Sequence, residues 1–119
     1  MKKFIVPIIL ASLVVVSIPA SGQLVKTKLR ITVLDDLGNI QEDATVRLFV
    51  SEKDFKEEKN AIIAEEKATN EKGVILFKNL EAREYWILAE KGEKNNWGGG
   101  IKTDPLQPKK VNRINIIIE

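Results

Sequence analysis

Apolar and polar positions alternate along most of the chain. From Lys28 to Leu34, Leu29, Ile31 and Val33 share one phase while Lys28, Arg30 and Thr32 take the other. This two-residue period predicts a strand with one face buried. Asp35-Asp36-Leu37-Gly38-Asn39 ends it, since Asp and Asn bond their own backbone in turns and Gly tolerates positive φ. Ala44, Val46, Leu48 and Val50 then predict a second strand over 44–50, with Thr45, Arg47 and Phe49 directed outward. Thr69 to Gly73 reads as a turn leading into a strand at Val74–Lys78, and Leu80 is expected to tuck into the core. Tyr85, Ile87 and Ala89 alternate with Trp86, Leu88 and Glu90 in a further strand. The last strand has Asn112, Ile114, Ile116 and Ile118 on its inward face.

Three stretches depart from this alternation. Ser51 to Asn60 is a charge run with Glu52 and Lys56, and Lys53 and Glu57, four residues apart. It is expected to be a solvated loop insertion, or a short exposed helical turn that starts at Ser51. Ala61 to Ala68 is assigned to a strand, although Ile62-Ile63 and Glu65-Glu66 blur its pattern. Gly92 to Gly100 surrounds Trp97 with four glycines and two asparagines, the composition of a long adaptable loop or a distorted edge. Gly100–Thr103 is the candidate for a seventh strand. Strands separated by turn signals, with no well-patterned helix, argue for an all-β, antiparallel, two-layer sandwich and against parallel α/β folds.

Composition changes the picture at the N-terminus. Lys2 and Lys3 precede an apolar run from Phe4 to Val16, followed by the small residues Ala20, Ser21 and Gly22. This is the plan of a removable export leader. The run is shorter than the ~20 apolar residues of a membrane span, and it contains Pro7 and Ser12. Residues 1–22 are therefore read as a signal peptide and 23–119 as one mature domain, exported to the periplasm or beyond the cell, with membrane contact only through an uncleaved leader. Taking Lys2 and Lys3 from the 19 basic residues leaves 17 against 17 acidic ones. A neutral chain with both signs interspersed has no long-range field to gather nucleic acid.

The 119-residue chain contains no Cys and no His, and Ser51 is the single serine after residue 22. Histidine- or thiol-based dyads, imidazole or thiolate metal sites and redox disulfides are therefore excluded. A lipoprotein anchor is excluded as well, because it needs a cysteine. Carboxylate, lysine and threonine chemistry remains. No cofactor is implied.

The strings LRITVLDDLGN, ATVRLFV, TNEKGVILFKNL, YWILAEKG and NRINIIIE, in that order, resemble the carboxypeptidase regulatory-like domains of the transthyretin-like (prealbumin-like) superfamily. The resemblance spans nearly all of residues 23–119. It departs at Arg83-Glu84, where the family has a glycine before the tyrosine, and at the charged insertion 51–60. It implies a seven-stranded Greek-key β-sandwich serving as a non-catalytic accessory or ligand-contacting module in an exported protein. Two activities of the wider superfamily do not carry over. Hydroxyisourate hydrolysis depends on histidines, which this chain lacks. The Lys-Asn isopeptide cross-link of collagen-adhesin repeats needs a lysine and a glutamate where Val33 and Ala89 stand.

Trp86 and Phe49 on outward phases, with Trp97, Asn95 and Asn96 in the glycine-rich loop, form the candidate ligand-binding set. Aromatic faces beside amides stack on sugar rings or anchor a protein partner. Segments 51–60 and 92–100 are equally able to fold over those rings. Asp35, Asp36, Asn39, Glu42 and Asp43 are rich in oxygen, but their spacing matches no calcium loop and they read as turn residues. The expected function is a non-catalytic binding or structural module with a protein or glycan partner in the cell envelope. The alternative is a small carboxylate-dependent hydrolase of glycosidase type, which needs two carboxyls about 5 to 9.5 Å apart.

Overall fold

The computed structural model describes residues 26–119. The leader assigned to 1–22 lies outside the described residues. Seven strands and one short helix follow in the order β1 (Thr27–Asp35), β2 (Thr45–Phe49), α1 (Glu52–Glu57), β3 (Ile62–Ile63), β4 (Val74–Leu80), β5 (Trp86–Lys91), β6 (Lys94–Asn95) and β7 (Val111–Ile118). They make two sheets, ordered β4-β1-β7 and β3-β2-β5-β6. The chain is all-β, as the alternation predicts.

The inward phases of both sheets meet in one core. Leu29, Ile31 and Val33 of β1, Ile75 and Phe77 of β4 and Ile116 and Ile118 of β7 pack with Val46 and Leu48 of β2 and Ile87 and Ala89 of β5. Burial of these aliphatic and aromatic faces is the main favourable contribution to folding, about 25 cal/mol per Å² of apolar surface. Leu80 packs against the core while remaining partly exposed. Tyr85, just before β5, is buried among these residues and donates its hydroxyl hydrogen to the Glu81 carbonyl at 2.8 Å. Burial raises its pKa above the ordinary value of 10.0.

Four expectations are corrected. The two sheets are not wholly antiparallel, because β1 pairs with β7 in parallel over eight residues, from Lys28 opposite Val111 to Asp35 opposite Ile118. The strand assigned to 61–68 contracts to Ile62–Ile63, because only those residues pair with β2, at Leu48 and Arg47. The seventh strand is Lys94–Asn95, paired with β5, whereas Gly100–Thr103 contributes an isolated bridge from Lys102 to Trp86. The charge run is also more than a solvated loop: Glu52–Glu57 forms α1, whose Phe55 is fully buried.

Local chemistry explains where α1 begins and ends. Ser51 takes an extended conformation and its hydroxyl accepts the Asp54 N–H, satisfying one of the free amides of the first turn. Glu58 turns left-handed (φ 54°) and closes the helix, its N–H directed to carbonyls of the last turn. Six residues are too few for a helix to be stable alone. Packing of Phe55 supplies the missing stability.

Two turns fix the strand registers. The Asp35 carboxylate accepts the backbone N–H groups of Leu37 (2.9 Å) and Asn39 (2.8 Å) and the Asn39 amide (3.2 Å). The backbone bond from Asn39 is the chief reason its pKa lies below the ordinary 3.8, and this outweighs the opposing effect of desolvation. In the turn before β4, the Asn70 side chain accepts the N–H groups of Lys72 and Val74, and the Thr69 hydroxyl links Gln41 to Ala44. Gly73 sits there at φ +75°, where an added Cβ would lie 3.0 Å from the Ile40 Cβ and 3.1 Å from the Val33 oxygen.

Gly73→Ala is expected to destabilise the domain by about 1–3 kcal/mol in urea unfolding, since both the backbone angle and the contact oppose it. Asp35→Asn is expected to lower stability at neutral pH. The lowered folded pKa of Asp35 means its stabilisation is present above pH 3.8 and is lost as pH falls through that lower value. Unfolding midpoints of wild type and variant should therefore converge below pH 3.8. Parallel curves down to strong acid would contradict the assignment.

Candidate functional site

The aromatic set chosen from the sequence lies on the outer side of the β3-β2-β5-β6 sheet, and much of it is covered. Phe49 and Leu88 do point away from the main core, as their phase requires. Phe55 of α1 then closes over them in a second apolar cluster, with Phe49 and Phe55 edge to face at 5.8 Å between centroids. Trp97 also packs against Phe55, at 4.6 Å between ring centroids. Phe49 has no exposed surface, whereas Trp97 keeps 44%. Trp86 is half-buried beneath the Lys102 ammonium, 5.0 Å from its ring centroid. Arg47 anchors the end of the helix by bonding Glu58 (2.8 Å) and Glu90 (3.1 Å).

The two asparagines also differ from expectation. Asn96 is buried, and its side chain takes the place of a strand neighbour beside β5. Its oxygen accepts the Ala89 N–H, while its amide donates to the carbonyls of Ile87 and Gly100. A ligand would have to break these bonds to use it. Asn95 accepts the Trp97 N–H through its side chain and exchanges two backbone bonds with Glu119. Of the five residues, Trp97 presents the largest accessible apolar surface, with Trp86 partly accessible beside it. Phe49 and Asn96 hold the layer together.

Two groups of carboxylates were candidates for chemistry, the Asp35 turn and one depression. Asp35 is committed to its own turn, as described above. Glu42, Asp43, Glu66 and Glu71 surround a shallow depression of about 650 Å³ that also contains Lys67 and Lys72. All four acids are solvent-exposed. A glycosidase pair instead keeps one carboxyl in an apolar pocket so that it can act as the acid.

The sequence reading missed the outer face of the β4-β1-β7 sheet. Lys28, Arg30 and Thr32 of β1 lie between Val74 and Leu76 of β4 and Val111, Arg113 and Asn115 of β7. The register sets Arg30 directly opposite Arg113, with Leu76 on the other side of Arg30. Like charges directly opposite each other destabilise a sheet. Among the described residues Lys28, Arg30 and Arg113 make no salt bridge, and residues 1–25 contain no Asp or Glu to supply one. The outward phase of all three strands carries no acid. Its single further cation, Lys78, is bound to Glu65 at 3.1 Å. The cations and aliphatic side chains line a depression of about 330 Å³.

Residues 23–119 are neutral in sum, but their charge is unevenly placed. The signal was present in the polar phases of β1 and β7. It became readable only once the pairing put those two phases side by side. No protein-family model matches the chain, and no curated protein matches it.

Phe55→Ala is expected to cost on the order of 3 kcal/mol, as for other buried Phe truncations. It should red-shift the tryptophan emission while the β signal in circular dichroism persists. An unchanged emission maximum would show that Phe55 does not organise this layer.

Proposed function

We propose that the chain is an exported, non-catalytic β-sandwich of the transthyretin-like, carboxypeptidase regulatory-like kind that binds a partner in the cell envelope. Support for the Greek-key arrangement comes from the seven strands in two sheets. Each sheet pairs strands separated by two others in the chain, β1 with β4 and β2 with β5. The Tyr85 hydroxyl, bonded back to the Glu81 carbonyl, resembles the tyrosine corner of β-sandwiches. The leader at residues 1–22 supports export.

The observation that carries the binding reading is the acid-free outer face of β4-β1-β7. Three cations without counter-charges, set among Val74, Leu76 and Val111, combine charge with apolar area. Such a surface gains from a ligand that brings anionic groups and some hydrophobic contact. A protein partner meets both needs. The exposed side of Trp97 is a separate position at which a glycan ring could stack.

The test is a pull-down from native envelope extract with three forms of the protein. Arg30→Glu with Arg113→Glu is expected to lose the partner recovered by wild type. Trp86→Ala with Trp97→Ala is expected to keep it. Loss with the tryptophan variant alone would move the site to the aromatic surface, and equal recovery from all three would remove both.

A further inference from the structure

The two sheets have four outer edges, and they differ. β3 and β6 are two residues long. Beside β4, Glu65 and Glu66 line a small depression with Ile75, Leu76 and Lys78, and Glu65 is held by Lys78. β7 is eight residues long, contains no proline and pairs with β1, and just past its end Glu119 turns to the other side and exchanges two backbone bonds with Asn95 of β6. Its edge is open from Val111 to Ile117. A groove of about 430 Å³ runs beside its first half, between the Thr103–Gln107 segment and β7, with the buried Leu106 and the partly buried Ile114 in its lining.

The direction of the backbone groups follows from the parallel ladder. Lys28 donates its N–H to the Lys110 carbonyl, so Lys28 is the residue that bridges positions 110 and 112. Continuing the alternation, Asn112, Ile114, Ile116 and Ile118 turn their peptide groups toward β1. Val111, Arg113, Asn115 and Ile117 turn theirs toward the open edge. Those same four residues carry their side chains on the cationic face. The unpaired groups of the strand therefore run past Arg113, and the cationic face continues from it to Arg30 and Lys28 of β1.

We propose that the open edge of β7 receives an extended segment of a partner protein, added as a fourth strand, whose outward side chains are acidic and whose inward side chains are apolar. The inference rests on the reading of this chain as a binding module and specifies its ligand class. The added backbone completes the N–H and C=O groups of the edge, which is how strand addition achieves affinity. Its carboxylates lie beside Arg113, which faces Arg30 of the next strand without a counter-charge, so an anion there relieves the repulsion between the two guanidiniums. Its apolar phase enters the groove against Leu106 and Ile114. A second copy of this chain is the poorer occupant. Joining β7 to β7 would set two cationic, acid-free faces side by side and enlarge the repulsion.

The probe is a synthetic peptide of alternating Glu and Val, eight residues long to match β7, tested on the protein lacking residues 1–22. It is expected to bind, and to slow hydrogen exchange about tenfold or more at the amides of Val111, Arg113, Asn115 and Ile117. The Lys-Val counterpart should not bind. Arg113→Glu is expected to weaken the Glu-Val peptide about tenfold or more, as for loss of a charge pair. Asn115→Pro leaves the β1 ladder intact, because that N–H points outward, and it should abolish binding. N-methylation of alternate peptide residues should do the same with no change to the protein.

Several results would overturn the proposal. They are equal binding of polyglutamate or of the N-methylated peptide, binding to phosphatidylglycerol vesicles but not to peptide, and a dimer of the protein alone that Asn115→Pro dissociates. If the envelope partner is lost with Arg30→Glu and Arg113→Glu but kept with Asn115→Pro, the face binds and the edge does not. That outcome refutes strand addition while leaving the module reading intact.

Discussion

The parallel ladder between β1 and β7 is the constraint on which most of the molecule depends. It places β1 in the centre of its sheet, with Leu29, Ile31 and Val33 fully buried on one side and Lys28 and Arg30 on the other. It joins the beginning of the domain to its last strand. The Asn112 side chain and the Thr27 hydroxyl secure the start of this junction, bonding the Lys28 carbonyl and the Lys109 N–H. Once the register is set, Arg30 and Arg113 have no choice but to meet.

Much of the fold was legible because side-chain alternation is a local signal. Residues Leu29, Ile31 and Val33, or Ile116 and Ile118, declare an inward phase without reference to any partner. Strand direction is not local in this way. The same alternating pattern suits parallel and antiparallel neighbours, so the relation between β1 and β7 was hidden. Ile62-Ile63 failed as part of a long strand for a related reason: the chain leaves β2 after Ile63, although β2 continues through Val46 and Thr45, and side-chain alternation does not record where a segment parts from its neighbour. The sole large apolar residue of the charge run, Phe55, could have revealed α1, since it stands between Ser51, a capping residue, and Glu58.

The candidate site was less legible. Outward phase identified Phe49 correctly but said nothing about what lay above it. Helix α1 and the segment around Trp97 turn the outer side of the four-stranded sheet into a second apolar layer. Asn96 looked like an amide free for a ligand, and instead its side chain serves the backbone of β5. Conversely, Lys28, Arg30 and Arg113 looked like ordinary solvated cations because the sum of charges was zero. Net charge does not record placement, and the two segments that build the cationic face are about 80 residues apart in the chain.

The unequal lengths of the sheet margins bear on assembly. A fibril needs each subunit to expose two long margins so that every addition creates the next docking place. In this protein β3 and β6 are too short to template a neighbour, and acidic residues flank β4. Among the described residues the other long margin is the seven-residue β4, and Glu65 and Glu66 beside it oppose a second copy of this chain that would extend the sheet there. With one long margin guarded in this way, the architecture favours discrete complexes over a polymer of copies of this chain.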